Sequence, residues 1–458
     1  MKPLSIAEIV TATGGELVGN DTGRTIRAIS TDTRSLGEGS LFVALRGDHF
    51  DGHNFVGTAV ENGAECLMLD TLPENADELE VPVLLVKNTL YGLQRLAKWY
   101  RDHLDIKVIG ITGSNGKTST KDFTAAVLRQ KFKVNATKGN LNNHIGLPLS
   151  VLSTEEDDQV CVWEMGMNHA GEIAPLCDIS SPDIGIITNI GTAHIEFLGS
   201  REGIAEEKAS LARALPENGT LVVTASCDFV DYLIERSHAK TIVAGNCRGA
   251  VRAENLHVLE SGSAFDLCID GQDPVPVEIK VSGKHMVNNA LLAAAAGYAL
   301  GMSASEIAAG LNGAELTTGR LRRYDSQGIT VIDDTYNANP DSVVAAIETL
   351  TDLPIHNGGR RVVVLGMMAE LGKHADTEHL RVGRLAAEKK LQVVSVGQQA
   401  EKIYQGAHEV SESAVQFENP SDAAAWLKEF CKEGDRVLFK GSRMAGMENV
   451  MNEAFPQT

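Results

Sequence analysis

No stretch of this chain is apolar for long enough to cross a membrane. The best candidate, Leu291-Leu-Ala-Ala-Ala-Ala-Gly297, falls well short of the ~20 residues a spanning helix needs. Met1-Lys-Pro-Leu-Ser5 has no apolar core of the kind an export signal carries, so a cytoplasmic protein is expected. Positive charge is also scarce: 41 Lys plus Arg stand against 61 Asp plus Glu, a net charge of -20. That balance argues against a general nucleic-acid binder, whose phosphate contacts need clustered cations. It leaves room for small anionic ligands, because a few placed cations can hold phosphate inside an acidic protein. The seven cysteines form no Cys-x-x-Cys pair, and their number is odd. Reduced, mostly buried thiols at Cys66, Cys161, Cys177, Cys227, Cys247, Cys268 and Cys431 are expected. There is no internal repeat, no low-complexity segment and no stretch that advertises an interface, so a monomer is expected.

What is present is an ordinary globular composition, 43% hydrophobic over 458 residues, enough for about three domains. The chain is organised around Val108-Ile-Gly-Ile-Thr-Gly-Ser-Asn-Gly-Lys-Thr-Ser119. Val108 to Ile111 reads as a buried strand, and Lys117 and Thr118 open a helical pattern with Phe123, Ala126 and Val127 on one face. The loop Gly113, Ser114, Asn115, Gly116 lies between them, which is the strand, glycine loop and helix context of a phosphate-binding loop. Such a loop turns backbone N–H groups onto phosphate, and the helix N-terminus adds partial positive charge. Lys117 would pair with the outer phosphates, and the Thr118 hydroxyl would ligate Mg²⁺.

Residues 1–86 carry short strands, Ile26–Ile29, Leu41–Leu45, Cys66–Leu69 and Val83–Val86, and a helix over about 53–62. Alternation in the first strand puts Ile26 and Ala28 on one face and Arg27 on the other. Two polar loops follow strands, Ser30-Thr-Asp-Thr-Arg-Ser35 and Arg46-Gly-Asp-His-Phe-Asp-Gly-His53, and from spacing alone plain turn chemistry explains them. Residues 87–314 alternate apolar strands with helical patterns, implying a mostly parallel, helix-covered sheet. About 252–281 alternates in polarity like antiparallel strands. Residues 315–458 read as a second, smaller doubly wound unit, with Ile329–Ile332 as its first strand.

In parallel sheets ligands gather at the carboxyl ends of strands, where Lys117, Glu164 and His194 fall. Glu164 is either an Mg²⁺ ligand or a strand-end acid, and its position favours the metal. His194 reads equally as a metal ligand or as a loop histidine bonded to backbone. Lys208, beside the acids in Glu206-Glu-Lys-Ala-Ser210, is by default an exposed helical lysine. Three asparagines in Asn140-Leu-Asn-Asn143 suit a sugar or peptide, or capped turns. Asp333 and Asp334 could hold a ribose or cap a strand; neighbours on a strand face opposite ways, so a metal pair is the weakest reading.

Taken together, these segments resemble the Mur ligase family of ATP-dependent amide-forming enzymes. The resemblance rests on Thr112-Gly-Ser-Asn-Gly-Lys-Thr118, Glu164-Met-Gly166, Asn189 to His194 and Gly283-Lys-His-Met-Val-Asn-Asn-Ala290. Gly139-Asn-Leu-Asn-Asn143, Asp333 to Ser342 and Met368-Ala-Glu-Leu-Gly372 are similar to the branch that joins D-alanyl-D-alanine to UDP-N-acetylmuramoyl-tripeptide. Met367 and His144 stand where that pattern more usually has acids.

The resemblance implies a small α/β first domain that binds the UDP substrate, a central ATP-binding domain with a mostly parallel sheet, and a Rossmann-like third domain. It implies catalysis through an acyl phosphate and a tetrahedral intermediate. It implies ATP held by Gly113 to Ser119, Asn289, Arg320 and Asp334, with Asp334 at the ribose. Thr118, Glu164, His194 and Lys208 would serve Mg²⁺, with Lys208 carbamylated. Ser30, Asp32 and Arg34 would meet the uridine nucleotide, and Asn142 and Asn143 the rest of the substrate. ATP contacts divided between two domains imply closure around the reacting groups.

Overall fold

The computed structural model describes residues 1–19, 23–74, 76, 79–246, 248–355 and 358–457. Three larger sheets follow one another along the chain, beside two two-stranded pairs among the described residues. The first has five strands in the order Glu16–Val18, Val83–Leu85, Ala64–Leu69, Ser40–Val43, Ala28–Ser30, parallel apart from the first pair. The second has nine, in the order Val134–Ala136, Val160–Glu164, Lys107–Thr112, Ile184–Ile187, Thr220–Thr224, Lys240–Asn246, Val251–Val258, Ser263–Ile269, Val275–Ile279. Pairing is parallel as far as Val251–Val258 and antiparallel beyond it. The third has six strands, parallel except at the Arg322–Ser326 edge.

The phosphate-loop strand, Lys107–Thr112, lies inside its sheet, flanked by Val160–Glu164 and Ile184–Ile187. Its residues from Val108 onward are buried, because helices cover both faces of the sheet, which is why it reads as a continuous apolar run. In parallel register Ile111 stands beside Glu164, so the loop and the carboxylate leave the sheet at the same edge. A β-carbon on Gly113 would lie 1.8 Å from Thr188 Oγ1, and φ here is 151°. Only glycine lets the two strands' loops approach so closely.

Apolar cores cross both domain junctions. One cluster joins Leu41, Met68 and Leu84 of the first part to Leu93, Val108, Trp163 and Leu211 of the second. Another joins Ile111, Val127 and Leu291 to Ile332, Val363 and Leu438 of the third sheet. The helix Thr89–Asp102, capped by Asn88, buries Leu93, Leu96, Ala97 and Tyr100 at the first junction. The Tyr100 hydroxyl donates to Thr154 O at 2.7 Å and accepts from Lys2 N at 2.7 Å. Cys66, Cys161, Cys177, Cys227, Cys268 and Cys431 are all buried; Cys247 lies outside the described residues.

The structure departs from the sequence reading in three places. The expected strand Ile26–Ile29 is broken at Arg27: Thr25–Ile26 pairs with Leu4–Ser5, and Ala28–Ser30 joins the five-stranded sheet. Ile26 is therefore buried and Ala28 exposed, because the two pieces serve different sheets. The helix expected over about 53–62 is split into a 3-10 turn, Gly52–Phe55, and an α-helix, Val56–Glu61. The third sheet begins with Arg322–Ser326, a polar edge strand with too little apolar alternation to announce itself.

Replacing Tyr100 with Phe should strand the buried Thr154 carbonyl and cost about 1–3 kcal/mol. Urea unfolding would measure this; a loss within error would remove the hydroxyl as a tie between these segments.

Candidate active site

The loop between Thr112 and Lys117 is braced on every side. Ser114 N donates to Asn189 O, Gly191 N donates to Ser114 Oγ, and Asn115 N donates to Asn189 Oδ1 at 2.9 Å. Thr188 Oγ1 donates to Asn115 O at 2.5 Å. Lys117 Nζ donates back to Gly113 O at 2.8 Å, which holds the ammonium over its own loop. Burial, with Arg320 nearby, pushes this ammonium below the usual lysine range, while Glu164 opposes the shift.

Glu164 is buried at the end of its strand. Its carboxylate accepts from Thr118 Oγ1 at 3.0 Å and from Asn142 Nδ2 at 2.8 Å. Asn143 turns its oxygen to the backbone N–H groups of Ile145 and Gly146, at the start of the helix Gly146–Leu152. Both asparagines line a cavity of about 330 Å³ together with Ser114, Asn115, Gly116, Lys117, Thr118, Glu164, His194 and Arg320.

The third domain forms the opposite wall. Arg320 donates to Thr118 Oγ1 at 3.2 Å and stacks 4.2 Å from the Tyr336 ring. Asn339 Nδ2 donates to Asn115 Oδ1 at 2.7 Å, and Asp341 accepts from Thr192 N and Oγ1 at 2.6 and 2.9 Å. Asn339 also caps the helix Pro340–Asp352 that carries Asp341, so one turn supplies both docking groups. Glu370 lies 2.5 Å from His194 Nδ1, and both residues have left-handed backbones. The imidazole holds the Glu370 carboxyl below the usual range. The third domain thus meets the phosphate loop itself.

Asp333 and Asp334 divide as strand geometry requires. Asp333 accepts from Thr335 N and Oγ1, a cap, whereas Asp334 accepts from Lys440 Nζ at 2.6 Å. His285, pushed down to about 4 by burial, lies near this pair. Asn289 packs against Gly116, where a β-carbon would come within 2.5 Å of its Oδ1. With His285 and Asn288 it lines a neighbouring cavity of about 370 Å³.

Lys208 corrects the reading made from its acidic neighbours. It is 1% exposed, on the inner stripe of Arg201–Ala214 with Ile204, Ala205, Leu211 and Ala212. That spacing in the sequence was the signal of burial. Burial first, and then the Lys117 ammonium, push Lys208 well below the usual lysine range. Its neighbour Glu207 is buried too, accepting from Gly171 N and Ile173 N at 2.7 Å each.

Not every candidate converges here. Ser30, Asp32 and Arg34 lie in the first domain and bond to one another: Asp32 takes both the backbone and the guanidinium of Arg34, which holds its carboxyl at about 2. Ser119 is buried in the first turn of its helix. Sequence reasoning missed Lys440, Glu370, Asn339 and Asp341 as site residues. For Lys440 a signal existed, since it ends a strand of a parallel sheet, but its adjacency to Asp334 depends on strand order.

Three family profiles cover the chain: the Mur ligase family, catalytic domain over residues 25–101, the Mur ligase middle domain over 111–297 and the Mur ligase, glutamate ligase domain over 319–443. A curated relative, UDP-N-acetylmuramoyl-tripeptide–D-alanyl-D-alanine ligase of Bacillus subtilis, is 38% identical over 437 residues, 93% of each chain. The chain belongs to the Mur ligase family. A crystal structure of MurF from Acinetobacter baumannii superposes over all of both chains with a TM-score of 0.92 at 33% identity. MurF from Thermotoga maritima in complex with ADP matches with a TM-score of 0.82 at 29% identity, over 93% of this chain and 97% of that one.

Adding a methyl at Gly113 should be among the most damaging small changes to this Mur ligase. Gly113→Ala is expected to cost about 1–3 kcal/mol of stability through backbone strain and the Thr188 clash, and to abolish measurable nucleotide binding. Calorimetry with an ATP analogue checks it; wild-type affinity would show that the loop has another way to relax.

Proposed function

We propose that this protein is an ATP-dependent ligase that joins D-alanyl-D-alanine to UDP-N-acetylmuramoyl-tripeptide, yielding UDP-N-acetylmuramoyl-pentapeptide for peptidoglycan synthesis. The observation that carries the reading is full-length similarity to ligases of that name, together with a phosphate loop facing a polar cleft between two α/β domains. A carboxylate is a poor electrophile because its leaving group would be oxide. Transfer of the ATP γ-phosphoryl group turns it into an acyl phosphate and releases ADP. The dipeptide amine then adds to the carbonyl, and the tetrahedral intermediate collapses to the amide by expelling phosphate, with loss of the amine's proton.

In this reading Lys117 neutralises the transferred phosphoryl group, and Arg320 brings a second cation from the third domain. Asn289 and Asp334 hold the base and ribose, with Lys440 fixing the Asp334 carboxylate. Ser30, Asp32 and Arg34 receive the uridine nucleotide, while Asn142 and Asn143 face the sugar-peptide. The docked third domain keeps water from the acyl phosphate, which would otherwise hydrolyse. The domains divide near residues 86 and 314. We take the enzyme to be a cytoplasmic monomer; among the described residues no helix is long and apolar enough to cross a membrane.

The donor set fits Mg²⁺. Thr118 and Glu164 present a hydroxyl and a carboxylate 3.0 Å apart, hard oxygen ligands beside the phosphate loop. When bound, the ion would neutralise charge developing on the phosphates. A second ion would need His194 and Lys208. A bare ammonium repels a cation, whereas a carbamate at Lys208 is an anionic ligand. Carbamylation needs a neutral amine, and burial together with the Lys117 ammonium favours the neutral form of Lys208.

Phosphate release from ATP should require both UDP-N-acetylmuramoyl-tripeptide and D-alanyl-D-alanine, with a pentapeptide product by mass. Lys117→Ala should lower turnover by at least about 10³-fold. Equal ATP turnover without dipeptide would sink the ligase reading. Activity should also fall in CO₂-depleted buffer and return with bicarbonate at fixed pH. Indifference to bicarbonate in the wild type would remove the carbamate.

A further inference from the structure

The third sheet carries a row of arginines that the ligase reading does not use. In register, Arg323 stands beside Ile332, Thr330 beside Arg436, and Arg436 beside Arg361. Side chains directly opposite across strands share a face, so all three arginines lie on the face that also carries Ile332 and Leu438. The turn joining Val251–Val258 to Ser263–Ile269 reaches over from the central domain to meet them. Arg436 Nη2 donates to Glu260 Oε1 at 2.9 Å, and Arg323 Nη1 donates to Glu260 O.

This pairing is incomplete. Arg436 is 3% exposed, and its Nε and Nη1 have no hydrogen-bond partner among the described residues. The Glu260 side chain is 63% exposed, so one well-hydrated carboxylate faces a buried guanidinium. A buried cation with unmet donors is costly, whereas guanidinium forks match the oxygens of an oxyanion two at a time. Arg436 and Arg323 line a cavity of about 600 Å³ with Lys280, Ser261 and Arg322. Burial first, and then the neighbouring Arg436, lower Arg323 to about 10, while Glu260 opposes the shift.

We propose that this cavity between the central and third domains is a binding site for a small phosphate-type oxyanion, held by Arg323 and Arg436 with Lys280 at its mouth. It adjoins the nucleotide site through Arg320, which lines both cavities, while Arg323 and Arg436 line only this one. Arg436 begins the strand that Lys440 ends, so the two lie about 13 Å apart at ~3.3 Å per residue. Its walls come from two domains, so an occupant would tie them together. Glu260 serves as an internal anion with which the ligand competes.

The test uses the full chain carrying Lys117→Ala, which cripples the phosphate loop, and titrates inorganic phosphate by calorimetry at constant ionic strength set with chloride. Saturable binding is expected. Adding Arg323→Gln should weaken it by about tenfold or more, the worth of one charge-assisted contact. Adding Glu260→Gln should tighten it several-fold, an outcome that misfolding does not produce. No saturable binding, binding indifferent to Arg323→Gln, or no tightening with Glu260→Gln would each overturn the site. Because catalysis is absent throughout, these results are independent of the ligase reading.

Discussion

Too much positive charge is buried around one carboxylate, and the rest of the site follows from that imbalance. Lys117 and Arg320 gather near Glu164, and burial pushes Lys117 below its ordinary pKa. A polyanion relieves such a pairing, and the phosphates of a nucleotide are the anion that the strand, glycine loop and helix context is built to receive. The fold accepts the strain because its glycines and the Asn189–Thr192 loop clamp the backbone in place.

The third domain docks onto the same loops. Arg320, Asn339, Asp341 and Glu370 all reach central-domain residues of the phosphate loop or the His194 loop. The apolar core continues across the junction, supplying affinity without specificity, while these polar contacts select one orientation. Binding at the loop and docking of the domain are therefore coupled through shared atoms, Thr118 Oγ1 and Asn115 Oδ1 above all.

Much of this was legible in the chain. The phosphate loop announced itself through glycines between an apolar run and a helical pattern, and Glu164 through its place at the end of a buried strand. The parallel sheets were legible because strands covered on both faces read as unbroken apolar runs. Legibility failed where a residue's neighbours in sequence differ from its neighbours in space. Lys208 follows two acids along the chain, yet the helix turns it inward. The Arg27 break was hidden because alternation looks the same whether one strand or two half-strands satisfy it.

The sequence alone therefore determined the chemistry available: a phosphate cradle, an acid beside it, and strand ends rich in polar side chains. These are local properties, set by spacing and by backbone preference. Tertiary structure alone decided which of those groups meet. The pairing of Asp334 with Lys440, of His194 with Glu370 and of Thr118 with Arg320 spans 106, 176 and 202 residues of chain. Such contacts depend on strand order and on how one domain packs against another, and no spacing rule encodes either.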